Sequence, residues 1–255
     1  MREPRGLRDC ACEGVAGFAA AASRCKGGCC LHGVRPEVAY IPRKVLQLPT
    51  LTVAWGLLEL IGLYAKSVGG MWFGVACDEQ RVFGIAFAAN EQSVLKNLLD
   101  ELPFNVAFQV FSKPSAFAET ALAVVKDVYY GKGVSRGFPF AMEHLPAYTR
   151  KVLEATTRIP VGYVASYGDV AKAAGGGARA VGNVMAANPF APVVPCHRVV
   201  RADFTLGGYG GGLKTKRALL EREKRGYQAS REISAGDRKL RVYPVESVLK
   251  KLVEA

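Results

Sequence analysis

Apolar and polar positions in the middle of the chain follow first a strand-like and then a helix-like pattern. Residues 71–77 and 81–87 are two apolar runs separated by the polar tripeptide 78–80, so this stretch predicts a β-hairpin. Residues 91–102 then repeat apolar positions at the spacing of one helix face. The apolar side of that helix is predicted to consist of Val94, Leu95, Leu98 and Leu99.

The segments on either side of this block also carry a structural pattern. Residues 51–64 are apolar and predict a helix, or a helix leading into a strand. Residues 117–129 predict a second helix, and the glycine-rich stretch 131–139 predicts a linker. Strands and helices together favour an α/β (α+β) fold class for the protein.

Short helical segments around a glycine-rich turn dominate the next part of the chain. Residues 144–157 predict a helix. Ser166 is a candidate N-cap for a short helix over 167–174. The turn 175–177 consists of three glycines, and a helix is predicted after it at 178–187. Two short helices around such a turn form a helix-turn-helix pattern.

Three further elements are predicted beyond the helix-turn-helix. Residues 199–208 predict a hairpin wing, 213–225 a closing helix, and 245–253 a helix near the C-terminus. The expected division of the chain is an irregular or disordered extension at 1–50, an α/β N-terminal domain at 51–140, a winged helix-turn-helix domain at 141–235 and a C-terminal tail at 236–255.

Charge narrows the set of partners. The 255 residues include 34 Lys and Arg against 22 Asp and Glu, which gives a formal charge of +12. Residues 141–235 alone hold 14 basic and 7 acidic residues, so the helix-turn-helix segment is itself basic. Basic proteins tend to bind nucleic acid or anionic surfaces, although a basic enzyme without such a partner is the alternative. No apolar run reaches about 18 residues, so we expect no membrane span and a cytoplasmic protein.

The cysteines do not fit a secreted protein. Seven are present, and five of them lie in the first 30 residues. An odd number clustered in this way does not match the disulfide framework of a small secreted scaffold. A structural zinc ion is one alternative, because zinc favours thiolate and imidazole ligands. Its candidate ligands are Cys25, Cys29, Cys30 and His32. Their spacing matches no standard paired arrangement, so the main expectation is a protein without a metal or cofactor.

Candidate chemistry is concentrated in Pro195-Cys196-His197-Arg198-Val199. A thiol is a good nucleophile only as the thiolate, and cationic neighbours lower its pKa. His197 and Arg198 could supply that environment, and His197 could also act through water as a base. For an isolated Cys-His pair the alternative is a buried structural cysteine, which is also the expectation for Cys77.

The segment from Ile159 to Glu223 resembles the DNA alkyltransferases that repair O6-alkylguanine. Several short motifs agree with that family in order and spacing, which is far more specific than any one motif alone. They are Ile159-Pro160-Val161-Gly162, Ser166-Tyr167-Gly168, Ala178-Arg179-Ala180-Val181-Gly182, Asn188-Pro189, Pro195-Cys196-His197-Arg198-Val199 and Tyr209-Gly210-Gly211-Gly212. The resemblance implies a ribonuclease-H-like N-terminal domain followed by a winged helix-turn-helix.

The resemblance also implies a reaction, that of a methylated-DNA–[protein]-cysteine S-methyltransferase. Cys196 matches the acceptor that takes the alkyl group from guanine O6, or from thymine O4, and keeps it as a thioether, so each molecule is expected to act once. His197 matches the base that works through a water, and Glu223 the carboxylate that orients it. Asn188 matches the hinge asparagine of the cysteine turn. Tyr167 matches the tyrosine that donates a proton to the leaving guanine.

The remaining matched positions are implied to contact DNA. A base inside a duplex is out of reach, so the nucleotide must be rotated out of the stack. Arg179 matches the finger residue that fills the gap, on a helix that lies in the minor groove. Tyr209 matches the aromatic residue that closes one wall of the base pocket, and at Gly210 a backbone N–H remains to bind O6. The other implied contacts are Ala178, Ala180, Gly182 and Val199. The expected partner is therefore double-stranded DNA containing O6-alkylguanine, bound by a monomer.

Three other classes of function stay open at the level of sequence. A lesion-binding protein of the alkyltransferase-like kind would lack the acceptor, which the presence of Cys196 argues against. A winged-helix transcription regulator would bind DNA without turnover. A Cys-His hydrolase would process its substrate repeatedly, so the number of turnovers per molecule distinguishes it from an alkyltransferase.

Overall fold

The computed structural model describes residues 60–103, 106–134 and 138–254. These residues belong to one unit of the fold, which extends to the C-terminus. The predictions for 1–50, including the zinc alternative at Cys25, Cys29, Cys30 and His32, lie outside the described residues. The same is true of most of the apolar stretch 51–64.

The first half of the described chain is a four-stranded sheet with two helices. Its elements are β1 (Ile61–Val68), β2 (Met71–Cys77), β3 (Val82–Ala88), α1 (Glu91–Glu101), β4 (Phe108–Val110) and α2 (Ala116–Tyr129). The strand order is β3-β2-β1-β4, antiparallel except for the parallel pair β1–β4. The predicted hairpin over 71–87 is confirmed, and residues 61–64 form a strand. The first four residues of β1 are buried, and the rest of the strand is half-buried or exposed.

Both helices of this half begin with side-chain caps and bury one face. The Asn90 side chain accepts a hydrogen bond from the backbone N–H of Ser93, which starts α1. This helix buries Val94 and Leu98. The predicted apolar face was wrong at Leu99, which is 42% exposed. At 3.6 residues per turn, Leu99 has rotated past the side that faces the sheet.

The second half combines a helix-turn-helix with a second four-stranded sheet. Its elements are α3 (Ala147–Thr157), β5 (Tyr163–Ser166), α4 (Tyr167–Ala174), α5 (Ala178–Ala186), a 3-10 turn (Cys196–Arg198), β6 (Val199–Val200), α6 (Leu213–Arg222), β7 (Arg231–Ala235), β8 (Arg238–Pro244) and α7 (Val245–Glu254). The sheet order is β6-β5-β8-β7, with β5 and β6 parallel. The mixture of sheets and helices confirms the predicted α/β (α+β) class.

Local chemistry explains the helix-turn-helix. The hydroxyl of Ser166 accepts a hydrogen bond from the backbone N–H of Asp169 at 3.0 Å, so the predicted N-cap of α4 is confirmed. Gly175 ends α4 at φ +82°, in the left-handed region where a side chain is disfavoured. The chain turns there and starts α5, which packs against α4.

The predicted hairpin wing at 199–208 was wrong. Strand β6 pairs in parallel with β5, and the backbone N–H of Arg201 donates to the carbonyl of Thr205, which closes a tight turn instead of a ladder. The ammonium of Lys216 donates hydrogen bonds to the carbonyl oxygens of Val199 and Leu206, at 2.6 Å each. Backbone acceptors that a second strand would pair with are therefore occupied by a side chain.

The hairpin of this half is formed instead by β7 and β8, and it crosses the predicted boundary between 235 and 236. Strand β8 also pairs with β5, and Val242 and Leu240 are fully buried. Helix α7 confirms the helix predicted at 245–253, and it buries Val245 and Val248 with Leu220 of α6. Residues 236–254 are thus built into the same packed unit as the helix-turn-helix.

The two halves share one hydrophobic core. A single cluster joins Phe73 and Val125 of the first half to Val170 and Val181 of the second. The backbone N–H of Ile85 donates to the carbonyl of Pro189 at 2.8 Å across the junction. In the described part of the chain, no helix is long and apolar enough to cross a membrane.

Candidate active site

Cys196 begins the 3-10 turn that leads into β6. Its thiol is free and its residue is 5% exposed. The backbone N–H of Cys196 donates to the carbonyl of Val194 at 2.8 Å, and that of Arg198 donates to the carbonyl of Pro195 at 2.9 Å. The turn is therefore held by its own backbone, and the position of the sulfur is fixed by local geometry.

Asn188 braces the loop before this turn. Its amide nitrogen donates to the carbonyl of Val194 at 2.9 Å, and its amide oxygen accepts from the N–H of Phe190 at 3.1 Å. Both groups are buried, so these bonds are not shared with bulk water. The same side chain also acts to lower the pKa of the Cys196 thiol. The structure brings together the two residues that the sequence placed on either side of the loop.

A buried triad stands behind the thiol. Nε2 of His197 lies 2.9 Å from Oε1 of Glu223. The guanidinium of Arg198 donates to both oxygens of the same carboxylate, at 2.9 and 2.8 Å. Two-point pairing of this kind fixes the orientation of a carboxylate as well as its charge. Among the described residues, Nδ1 of His197 has no hydrogen-bond partner.

Electrostatics assigns protonation states to the triad. Burial raises the pKa of Glu223, but the charges and hydrogen bonds of His197 and Arg198 outweigh it and lower the pKa to about 2. Burial lowers the pKa of His197, against the opposing effect of Glu223. Glu223 is thus ionised and His197 neutral near pH 7. Because the carboxylate can only accept, Nε2 carries the imidazole proton and Nδ1 keeps a free lone pair.

The sequence prediction for the thiol needs a correction. Burial raises the pKa of Cys196, and Asn188, Lys216 and the backbone of Cys196 and His197 act to lower it. Arg198 was predicted to act as a cationic neighbour, but its charge is taken up by Glu223. The prediction was therefore wrong about which cation faces the sulfur.

Lys216 is the residue that sequence reasoning missed. It is fully buried in α6, and its ammonium donates to the carbonyls of Val199, Leu206 and Gly208. Burial lowers its pKa to about 8, with the charge of Cys196 as the opposing influence. A signal was present in the sequence. Lys216 falls on the same helical face as Leu219, Leu220 and Glu223, where a lysine is unexpected.

An open cleft lies beside α5 and has a volume of about 1000 Å³. We call it the α5 cleft. Seven of the residues predicted for the site line it: Tyr167, Ala178, Arg179, Gly182, Cys196, Tyr209 and Gly210. Burial raises the pKa of Tyr167, followed by the nearby Cys196, and burial also raises that of Tyr209. Both phenols are therefore protonated near pH 7 and can donate.

The other predicted residues lie elsewhere. His197, Glu223 and Asn188 are buried behind the thiol, where they contact the turn and each other. Val199 is fully buried in β6, so the structure does not support a direct contact between its side chain and DNA. Ala180 is half-buried on α5 and is not part of the cleft wall.

Comparison with known proteins agrees with this geometry. The family described as 6-O-methylguanine DNA methyltransferase, DNA binding domain, matches residues 147–225. A methylated-DNA–protein-cysteine methyltransferase of Methanothermobacter thermautotrophicus is 47% identical over 76 residues, which are 30% of this chain and 43% of that protein. The chain thus spans about half the length of the first curated relatives that it matches.

Two further comparisons, one of sequence and one of structure, cover most of the other protein's length. The methylated-DNA–protein-cysteine methyltransferase of Thermococcus kodakarensis is 35% identical over 158 residues, 60% of this chain and 88% of that protein. The crystal structure of O6-methylguanine-DNA methyltransferase from Pyrococcus kodakaraensis has 33% identity and a TM-score of 0.52, and the match covers 64% of this chain and 98% of that one. This chain belongs to the methylated-DNA–protein-cysteine methyltransferase family.

Proposed function

We propose that this protein repairs DNA by direct and irreversible transfer of an alkyl group from O6-alkylguanine to the thiol of Cys196. The same chemistry extends to O4-alkylthymine as a second substrate. The observation that carries the proposal is the placement of one free thiol in the wall of the α5 cleft, in front of the His197–Glu223 pair.

The transfer needs a thiolate and a proton acceptor. The thiol proton passes through a water to Nδ1 of His197, the ring nitrogen that has no partner among the described residues. Glu223 stabilises the imidazolium that forms, and Arg198 keeps Glu223 ionised. This arrangement generates the thiolate at the moment of reaction, since burial alone favours the neutral thiol.

The bonds then exchange at the alkyl carbon. A new S–C bond forms as the C–O6 bond breaks, and the electron pair of that bond stays on guanine. Guanine takes a proton from the phenol of Tyr167, which lines the α5 cleft with Cys196. Sulfur supplies the electrons and guanine is the leaving group, so no metal or organic cofactor takes part. A thioether is not a substrate for thiol exchange, so each molecule acts once.

The DNA is bound through the helix-turn-helix. Arg179 is exposed at the start of α5, and the small residues Ala178, Ala180 and Gly182 let this helix approach a narrow minor groove. Arg179 fills the gap left by the flipped nucleotide. Contacts with phosphates are expected from the excess of basic residues in 141–235. One chain holds all of these groups, which supports a monomer as the active form. We place this monomer in the cytoplasm, where DNA is accessible.

The finer fold assignment belongs to the same proposal. The order β3-β2-β1-β4 with a parallel β1–β4 pair supports a ribonuclease-H-like outline for the N-terminal half. Helices α4 and α5 support a helix-turn-helix, and the β7–β8 hairpin takes the place of the wing that was predicted at 199–208.

Mass spectrometry of the intact protein and of its peptides tests the function. Incubation with duplex DNA that contains one O6-methylguanine should add one methyl group per chain, on Cys196. Cys196→Ala should bind the DNA and transfer nothing. Cys77→Ala is the matched control and should transfer fully, because burial raises the pKa of the Cys77 thiol to about 12. Repeated turnover, or a methyl group on Cys77, would contradict the proposal. Binding without transfer by the wild type would favour a lesion-binding protein.

A further inference from the structure

The β7–β8 hairpin has no part in the proposed transfer, and it follows the residues 147–225 that match the family. Strand β8 is nevertheless paired with β5, the strand that leads directly into α4. Val164 is paired with Tyr243, so the last residue of β5, Ser166, is level with Arg241. The earlier residues of β8 and the turn of the hairpin therefore extend beyond the end of β5, alongside α4.

Arg238 attaches the tip of this hairpin to the last turn of α4. Its Nη1 donates to the carbonyl of Lys172 at 3.0 Å. Carbonyls at the C-terminal end of a helix lack partners within the helix, and positive charge is favourable there. The guanidinium also lies 3.1 Å from the position that a Cβ atom on Gly175 would take. The tip is thus fixed beside the glycine turn that leads into α5.

Exposed basic side chains meet at this point of the molecule. The side chains of Lys172 on α4 and Lys239 on β8 are 81% and 79% exposed. Arg238, between the two in space, is exposed as well. We call Lys172, Arg238 and Lys239 the tip cluster. On the other side of the glycine turn, the first turn of α5 presents Arg179 to the solvent.

Acidic residues near the tip cluster leave it net positive. Lys172 lies 3.7 Å from a carboxylate oxygen of Asp169. Lys239 lies 3.4 Å from a carboxylate oxygen of Glu232, and Asp237 is exposed in the turn. Over the hairpin as a whole, four basic residues outnumber two acidic ones. Exposed ion pairs contribute little and are screened by salt, so a phosphate can replace either carboxylate.

We propose that the tip cluster binds phosphates of the DNA strand that borders the minor groove beside α5, as a second DNA contact next to the helix-turn-helix. This rests on the proposed function, in which α5 lies in the minor groove. That groove is only about 6 Å wide, so groups beside the first turn of the helix face the sugar-phosphate backbone. The glycine turn contributes no charged side chain at this place, and the hairpin supplies the positive charge instead.

A contact of this kind adds affinity for DNA without preference for a base or a lesion. Phosphate contacts release counterions, and each one steepens the dependence of log K on log salt concentration by about 0.9. Extrusion of the base stays with Arg179, and transfer stays with Cys196. The hairpin therefore raises the occupancy of undamaged DNA, on which the search for a lesion takes place.

The test measures the dissociation constant of the full chain for an undamaged duplex at several salt concentrations. Lys172→Gln combined with Lys239→Gln removes two charges of the tip cluster and keeps Arg238, which also holds α4. Lys66→Gln combined with Lys126→Gln is the matched control, since it removes the same net charge from β1 and α2 of the N-terminal half. The tip variant should reduce the salt slope by about 2, and the control should keep the wild-type slope.

A duplex that carries one O6-methylguanine provides the second comparison. The tip variant should lose affinity for it by the same factor as for the undamaged duplex, because the phosphates of the two duplexes are alike. An unchanged slope, an equal change in both double variants, or a loss confined to the damaged duplex would overturn the inference.

The outcomes separate this inference from the proposed function. Failure of the wild type to transfer a methyl group to Cys196 would refute the proposed function, whereas binding to the undamaged duplex still measures the tip cluster. If the melting temperature shows that the tip variant does not fold, Lys239→Gln alone decides, because its side chain is exposed on the hairpin. A slope reduced by about 1 then supports the inference, and an unchanged slope overturns it.

Discussion

Lys216 is a fully buried lysine that donates to backbone carbonyls, which is unusual. Its positive charge acts to lower the pKa of the Cys196 thiol. Lys216 lies under the segment that joins Cys196 to Tyr209, because its three acceptors are the carbonyls of Val199, Leu206 and Gly208. One ammonium therefore shapes the loop of the cleft and also supplies a positive charge near the sulfur.

Lys216→Met should slow alkyl transfer at least about tenfold, since a buried carbonyl without a donor is costly and the thiolate loses a stabilising charge. The pH profile of transfer from free O6-benzylguanine to Cys196 should move to higher pH. The pKa of Lys216 is about 8, so its charge helps the thiolate below that pH and fades above it. The wild-type and variant profiles should therefore converge above pH 8.

The control for this prediction is Lys214→Met, a change at an exposed position of the same helix, which should leave the rate and profile unaltered. If Lys216→Met is slower but keeps the wild-type pH profile, the role of Lys216 is to hold the loop and not to stabilise the thiolate.

The ionisation of Glu223 makes the free energy of unfolding depend on pH in the acid range. Its pKa is about 2 in the folded protein against an ordinary value of 4.5, so its contribution is fully present above pH 4.5 and is lost as the pH falls from 4.5 towards 2. A shift of this size corresponds to a free energy on the order of 3 kcal/mol. Glu223→Gln should lower the free energy of unfolding by several kcal/mol at pH 7, because Arg198 is left buried without its counter-charge.

Urea unfolding at pH 7 and at pH 3 checks this. The difference between Glu223→Gln and the wild type should narrow at pH 3, where the wild type begins to lose the contribution. Glu221→Gln, at a half-exposed ion pair with Arg217, should cost less than about 1 kcal/mol at either pH. A difference that is the same at both pH values would mean that packing, and not charge, accounts for the effect.

At the scale of elements, α5 combines two tasks. Its buried residues Val181, Val184 and Met185 join the core, while its first turn presents Arg179 to the solvent. The turn of glycines before it contributes no side chain that could cover that surface. The helix is thus fixed by packing on one side and open for DNA on the other.

Arg179→Ala should strongly slow repair of O6-methylguanine in duplex DNA and leave transfer from free O6-benzylguanine much less affected, because the free base needs no flipping. Rates on the two substrates provide the measurement. Arg217→Ala, which removes another exposed arginine from a helix outside the α5 cleft, is the control. Equal losses on both substrates would show that Arg179 supports the fold or the pocket and not extrusion of the base.

Helix α6 carries Lys216 and ends at its C-cap residue Glu223. The C-terminal elements hold this helix in place. Glu246 of α7 accepts hydrogen bonds from the backbone N–H groups of Arg225 and Gly226, just beyond the end of α6. Val248 packs in the same cluster as Leu220. The segment that the sequence suggested to be a tail therefore positions the helix behind the thiol.

At the scale of the whole molecule, sequence patterns predicted what depends on local interactions. The hairpin at 71–87 and the helices near 91–102, 117–129 and 167–174 were confirmed, since periodicity, caps and turns are encoded within each segment. The short strand β4 was missed, because three exposed residues carry no alternating pattern. The wing was wrong, because β6 pairs in parallel with β5, a strand more than 30 residues earlier, and such long-range pairing leaves no local pattern.

The site divides in the same way. Cys196 and His197 are adjacent in the chain, so their chemistry could be predicted from the residues. Glu223 follows 26 residues after His197 and was identified through family resemblance. The cavity that residues of β3 and α2 form beside Cys196 could not be predicted at all, since it depends on how distant segments of the chain meet.

The hydrogen bond from Ile85 to Pro189 and the core that spans both halves have a thermodynamic consequence. Neither half can expose its apolar face without exposing that of the other, so the described part of the chain should melt in one cooperative transition. The N-terminal sheet then sets the lifetime of the folded acceptor thiol. A substitution in β2 that never approaches DNA would decide how long an unused molecule stays competent while it waits for a lesion.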